Sequence, residues 1–367
     1  MKVAIVHDWL PYMGGAERII LVLHQLFPQA PIYTLIYNRE RMPQEFHQMD
    51  IRTSFIQKLP FGKTKYPNYL PLFPTAVEQF DLSEYDVVFS SSTSVAKGVI
   101  TGARTLHICY CNTPMRYAWD FYHEYLGATG GLKKKLIPWL MNYIRMWDKL
   151  SADRVDYYIA NSRNVARRIL KHYRRDAAVI HPPVEASFYQ PSDTDGDYFL
   201  VVSRLVAYKR VDLAIQACNR LRLPLKVVGE GPELEKLKQL AGPTVELLGR
   251  VSDEETMRYY SQCRAFLFPG EEDFGITPLE AQASGRPVLA YGRGGALETV
   301  IDGQTGLFFP EQTVESLEDA LKRFEQLEFD KHKIRQHALE WDTRIFAERI
   351  KAFVEEKYHQ FQQGLDK

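Results

Sequence analysis

Short apolar runs alternate with helical stretches along nearly all of this 367-residue chain, and that alternation restricts the fold more than any other feature. Residues 2–7 read as a strand, and Gly14-Gly15 opens a helix over 16–27. Further strands are expected at 87–90, 105–110 and 156–160, with helices over about 132–151 and 162–174. The pattern breaks at His181-Pro182-Pro183, and 190–196, rich in Pro, Ser, Asp and Gly, reads as a linker. It then restarts, with strands at 198–203, 224–229, 244–248, 265–268 and 287–291 and helices at 207–220, 232–240, 253–262 and 278–284. This order predicts an α/β fold of two doubly wound, Rossmann-like units in tandem, with ligands beyond the carboxyl ends of the strands. Domains are expected at 1–188 and 189–341. The helical tail over about 313–361 is long enough to cross back, with about 342–367 joining the first domain.

The length suits two cores rather than one. A composition 45% hydrophobic and 25% charged is that of an ordinary globular protein. The net charge is zero but unevenly spread. Residues 1–188 hold 23 basic and 16 acidic side chains, a net of +7, and 189–367 hold 23 and 30, a net of −7. Within the first half, residues 131–175 alone carry 12 basic and 3 acidic groups. Such asymmetry suggests two domains with different partners. Cys109, Cys111, Cys218 and Cys263 form no C-x-x-C pair and no His cluster accompanies them, so buried free thiols in a reducing cytosol are expected, not zinc or disulfides. A charge arrives too early for a secretory leader, and no apolar run approaches a membrane span.

The segment Gly270-Glu271-Glu272-Asp273-Phe274-Gly275-Ile276-Thr277-Pro278-Leu279-Glu280 carries the most chemistry. A buried strand stopped by Pro269 ends in carboxylates, and a helix follows. Thr277-Pro278-Leu279-Glu280 has the form of a capping box, with Thr277 as N-cap and the helix starting at Pro278. The amides around Phe274, Gly275, Ile276 and Thr277 then face an anion at a helix N-terminus. Alone, the segment serves equally as a capped turn and as a site for a ligand both anionic and hydroxylated. Arg204 follows a strand and Lys209 stands at the next helix start, so both can clamp a pyrophosphate. Gly14-Gly15 lets a ligand approach the backbone. Gly229-Glu230-Gly231 lacks the third glycine of a dinucleotide fingerprint, and that site is rejected.

Taken in order, these segments resemble the retaining GT-B glycosyltransferases of glycosyltransferase family 4. The match runs through Gly14-Gly15, His181-Pro182-Pro183-Val184, Ser203-Arg204-Leu205 with Lys209, Val228-Gly229-Glu230-Gly231-Pro232, Leu248-Gly249-Arg250-Val251-Ser252, the Glu272/Glu280 pair and Gly303-Gln304-Thr305-Gly306-Leu307. Thr113-Pro114-Met115-Arg116-Tyr117-Ala118-Trp119-Asp120 further resembles bacterial mannosyltransferases that build O-antigens and exopolysaccharides. The resemblance implies two domains facing across a cleft and transfer of a hexose, with mannose from GDP-mannose the leading donor. The implied acceptor is a glycan or a polyprenyl-diphosphate-linked sugar. It implies that Arg204 and Lys209, with Gly14 and Gly15, hold the leaving diphosphate, so no metal or other cofactor is needed. Glu280 would bond the ribose, and Gly249, Arg250 and Val251 the base. Glu272 would face the donor sugar, with the backbone of Asp273, Phe274, Gly275, Ile276 and Thr277 around sugar and phosphate. Asp8 would orient the acceptor or assist as base, and Arg116 and Tyr117 would line the acceptor site.

One position departs from the family. Asn112 stands where many relatives carry a His that contacts the donor sugar, and Asn cannot become cationic. Lys133, Lys134 and Lys135 precede Trp139 and then Met146-Trp147 on a helical stretch, a combination that suits an anionic membrane surface. A solvated helix face with core tryptophans reads the same residues. Neutral overall charge and the lack of a binding motif argue against nucleic acid. The expected location is the cytoplasm, peripheral on the inner face of the plasma membrane. Two other functions fit the same residues, a GT-B nucleotide-sugar epimerase and a non-catalytic nucleotide- or carbohydrate-binding protein.

Overall fold

The computed structural model describes residues 1–127 and 131–365. The chain divides into two compact units, Met1–His181 with Ala347–Lys367, and Pro182–Phe346. The first holds a seven-stranded sheet in the order β3-β2-β1-β4-β5-β6-β7. Its strands are β1 (Val3–His7), β2 (Ile32–Thr34), β3 (Ile51–Thr53), β4 (Val87–Ser92), β5 (Leu106–Cys111), β6 (Tyr157–Ala160) and β7 (Ala177–Val179). The second holds a six-stranded sheet in the order β10-β9-β8-β11-β12-β13. Here β8 is Phe199–Val202, β9 Leu225–Val228, β10 Val245–Gly249, β11 Phe266–Phe268, β12 Val288–Tyr291 and β13 Gly306–Phe309. Every strand pair is parallel. The two doubly wound α/β units read from the sequence are therefore present.

Central strands such as β4 and β5 are buried along their whole length, because helices cover both faces of a parallel sheet. The edge strands β3 and β7, and β2 beside β3, are three residues long and, with β13, lie outside the strands expected from sequence. Three residues are too few to show a period. The tail forms the helices Val314–Phe324, Lys331–Leu339 and Thr343–Leu365. From Ala347 onward the last helix belongs to the first unit, where Ile350 and Val354 are fully buried and Phe353 meets Tyr157 edge-on at 6.5 Å. All four cysteines are buried free thiols. Burial pushes the thiols of Cys109, Cys218 and Cys263 up to about 12, so they are inert as nucleophiles.

Candidate active site

Because all strands of the second sheet run one way, their carboxyl ends share one edge. The strand order reverses between β8 and β11, the switch point where a doubly wound sheet opens a crevice. A crevice there is lined by Ser203, Lys209, Phe268, Pro269, Gly270 and Glu272. The helix expected over 207–220 is broken. A 3₁₀ turn spans Ala207–Lys209, Arg210 takes φ 52°, and the α-helix begins at Val211. That break sets Lys209 at the lip of the crevice. Its Nζ donates to Glu272 Oε1 in a close ion pair, with the two side chains 16% and 19% exposed. Arg204 is exposed on the same loop.

Glycines hold the two loops together. A Cβ on Gly270 would lie 2.9 Å from Lys209 Cα and 3.0 Å from its carbonyl oxygen, so only glycine lets these backbones meet. Gly295 N–H donates to the Glu272 carbonyl at 2.8 Å, and a Cβ on Gly295 would collide with the Phe274 backbone. Gly294 and Gly295 thus fix the acidic loop, a role the sequence reading missed. Its signal was Gly292-Arg293-Gly294-Gly295 directly after a strand. Phe274 anchors the loop by packing with Val184, Leu279 and Trp341, its ring 5.5 Å from the Trp341 ring.

The expected capping box at Thr277 is absent. The helix starts at Ile276, its N-cap is Gly275 with φ 87°, and no side chain caps it. Pro278 therefore occupies the third helical position, where its missing N–H costs nothing. Glu280 is instead 4% exposed and accepts the Tyr260 hydroxyl at 3.0 Å on Oε2. A true capping box lies nearby at Ser252 and Glu255, heading the helix Asp253–Gln262. Asp273 and Thr277 are half-buried at the turn. Gly249 ends β10 at φ 67° with open space at its α-carbon, and Arg250 beside it is exposed while Val251 packs inward. The Gly229–Gly231 loop is bonded to its neighbour, with Leu205 N–H donating to Glu230 O at 2.9 Å. The structure thus brings Lys209, Glu272 and the loop 270–277 together, with Glu280 one helical turn away.

The first unit places its candidates along the carboxyl edge of its own sheet. Asp8 is 1% exposed and its carboxylate takes five hydrogen bonds. Oδ1 accepts from the amides of Val95 and Ala96, both at 2.7 Å. Oδ2 accepts from Ser94 N–H and from the amide and hydroxyl of Thr93. Both oxygens accept from the 93–96 turn, so Asp8 is a buried anchor of that turn. Gly14 and Gly15 start the helix Gly15–Leu26, but the chain's own Glu17 lies there, 7% exposed, with Oε2 2.8 Å from where a Gly14 Cβ would sit. Its Oε1 meets His7 Nε2 at 3.4 Å, while His7 Nδ1 faces Ser91 O at 3.2 Å. A diphosphate at Gly14-Gly15 would meet that carboxylate, which weakens the assignment of these two glycines. His7 and Glu17 escaped the sequence reading because nothing in their spacing marks a pair.

Asn112 is half-buried at the end of β5, its Nδ2 donating to Ser91 Oγ at 3.1 Å. Arg116 is half-buried with its guanidinium 4.6 Å from the Phe121 ring, and the Tyr117 hydroxyl shares a 2.6 Å hydrogen bond with Ser94 Oγ. Lys134 and Lys135 are exposed and Trp139 is 79% exposed, while the side chain of Lys133 lies outside the described residues. Trp147, grouped with them from sequence, points inward and donates to Glu78 at 2.8 Å.

The geometry defines a crevice at the switch point of a doubly wound sheet, and comparison with known proteins gives the class. Residues 13–188 match the model described as Glycosyltransferase Family 4, and residues 185–341 match that of Glycosyl transferases group 1. The O-antigen chain mannosyltransferase C of Escherichia coli is 30% identical over 299 residues, covering 76% of this chain and 75% of that protein. This chain belongs to the family 4-type glycosyltransferases. The match to a D-inositol 3-phosphate glycosyltransferase of a Nocardioides species, 28% identical, covers 52% of this chain and spans half that relative's length. Anabaena HepE in complex with UDP has the same fold, with a TM-score of 0.72 at 16% identity, covering 97% of this chain and 100% of HepE.

Proposed function

We propose that this protein is a retaining, metal-independent hexosyltransferase that moves mannose from GDP-mannose to a lipid-linked or oligosaccharide acceptor in bacterial surface polysaccharide assembly. The observation that carries the reading is the Lys209–Glu272 pair at the switch point of the second sheet, with Arg204 exposed on the loop that leads to Lys209. A donor diphosphate seated there is neutralised by the two cations, which supplies the leaving-group stabilisation a divalent metal would otherwise give. The acceptor hydroxyl attacks the anomeric carbon on the face the diphosphate leaves. The new C–O bond forms as the bond to phosphate breaks, and the proton passes to the departing phosphate oxygen. Glu272 hydrogen-bonds the sugar hydroxyls, Glu280 the ribose, and the backbone of 249–251 the base. Arg116 and Tyr117 lie on the acceptor side.

Likeness to a mannosyltransferase supports the sugar, and the polysaccharide role rests on the same relative. The UDP in HepE favours a second reading, a UDP-hexose donor on the same residues. A thermal-shift panel of GDP, UDP, ADP and dTDP with their sugars separates the two, because a ligand bound only by the native state raises Tm by mass action. GDP and GDP-mannose are expected to stand out. Transfer is expected to persist in EDTA and to vanish in Glu272→Ala with the far-ultraviolet spectrum unchanged. Normal transfer by that variant sinks the assignment, and chromatography of an epimerised donor without acceptor would identify the epimerase instead.

A further inference from the structure

The helix Gly131–Ala152 carries an apolar stripe that nothing in the described structure covers. Leu136, Trp139, Tyr143, Met146 and Leu150 are 60%, 79%, 42%, 54% and 68% exposed. They recur every three or four residues, so they form one line along the helix. The opposite side is rooted in the core through Met141, Ile144 and Trp147. The helix is therefore held by its inner face while its outer face presents large apolar side chains to solvent. Contiguous exposed apolar surface of this kind marks an interaction site.

Charge selects the partner. Lys134 and Lys135 are exposed at the start of the stripe, while Lys149 near its end is paired with the exposed Asp153 at 3.2 Å. The helix's one acid, Asp148, is fully buried and paired with Lys97, so the helix itself presents no negative charge outward. The following helix, Arg163–Tyr173, adds exposed Arg163, Arg167 and Lys171 and holds no acid. A second element shows the same chemistry. Phe61 is 70% exposed between exposed Lys58 and Lys63, and its φ of 55° is a left-handed conformation rare for a bulky side chain. The amides of Thr64 and Lys65 both donate to its carbonyl, which holds the strained turn in place. Residues flanking this turn pack on the same core cluster as the helix.

We propose that this face of the first unit lies on an anionic lipid surface, with the five-residue stripe sunk in the headgroup region and the lysines on acidic headgroups. No helix among the described residues is long and apolar enough to cross a membrane, so the contact is with the surface. The exposed Lys134 and Lys135, with the basic helix that follows, outweigh the exposed acid at this face, Asp153; that excess of positive charge disfavours self-pairing of two such faces and favours a negative sheet. The inference is independent of the transferase reading, because vesicle binding is measured without donor or acceptor.

The test is co-sedimentation of the full chain with vesicles of phosphatidylcholine and phosphatidylglycerol in equal parts. The protein is expected to pellet with these vesicles, to stay soluble with phosphatidylcholine alone, and to be released by high salt. Trp139→Glu is expected to lower the partition at least about tenfold, and Lys134→Gln and Lys135→Gln about fivefold each, the surface worth of one cation. All three sites are exposed, so the circular dichroism spectrum and Tm should not change. Three outcomes overturn the proposal. These are no pelleting with anionic vesicles, undiminished pelleting of Trp139→Glu, and a wild-type dimer in solution that Trp139→Glu converts to monomer.

Discussion

A lysine held by a carboxylate is both aimed and neutralised, and this double effect sets what Lys209 can do. Its ammonium is fixed at the crevice by Glu272, so an arriving diphosphate must share it. Glu272→Gln keeps a hydrogen-bond acceptor but removes one negative charge facing the phosphates. Nucleoside diphosphate affinity should hold or rise by up to about tenfold, while transfer falls at least about 100-fold. Parallel loss of both in calorimetry and turnover would mean that Glu272 only builds the loop. His107 makes a prediction about pH. It is fully buried on β5, shares a 2.8 Å hydrogen bond with Ser90 Oγ, and burial pushes it down from 6.5 to about 4. Neutral in the native state, it gains a proton first in the unfolded chain. The stability it supports is thus complete above about 6.5 and lost as pH falls toward 4. The Tm of wild type should drop across that window more steeply than that of His107→Gln, and equal slopes would refute the assignment.

At the scale of elements, the site depends on loops pressed closer than side chains allow. Gly295→Ala would drive a methyl into the Phe274 backbone, so the acidic loop must move. A loss of about 2 kcal/mol in stability is expected, with weaker nucleotide binding. Unchanged Tm and affinity would show that the loop has slack. These elements also explain what the sequence revealed. Buried strands such as β4, β5 and β12 were legible because apolar residues dominate the part of each read as strand, despite Ser90 in β4 and His107 in β5. Lys209 and Glu272 drew notice because each lies on the loop that follows a strand of the second sheet, β8 and β11, whereas Glu280 lies inside the helix beyond. The capping box was misread because Thr277 and Glu280 fit a pattern that Gly275, with its positive φ, pre-empts. The anchoring contacts of Asp8 left no trace in the sequence because its five partners lie about 85 residues away, beyond any local signal. Gly295 acts through a backbone contact, which no side-chain pattern records.

At the scale of the whole molecule, the first unit is closed by chain from the far terminus. Residues from Ala347 supply it with buried Ile350 and Val354, and Lys357 Nζ lies 5.2 Å from the centre of the Tyr157 ring. Truncation after Phe346 should cost that unit about 3 kcal/mol or more, at about 1.5 kcal/mol or above per buried aliphatic. Calorimetry is expected to show its transition lowered while that of 182–346 stays in place, and a joint shift would show that the units melt together. The account turns on the second unit, where Arg204 and Lys209 are taken to hold a nucleotide sugar by its diphosphate, Glu272 by its sugar and Glu280 by its ribose. The most direct test is isothermal titration of GDP into wild type and Lys209→Ala. The account predicts binding by wild type and a loss of about 10- to 100-fold in the variant, the worth of one charge-assisted hydrogen bond. Equal affinity in the two proteins would contradict it.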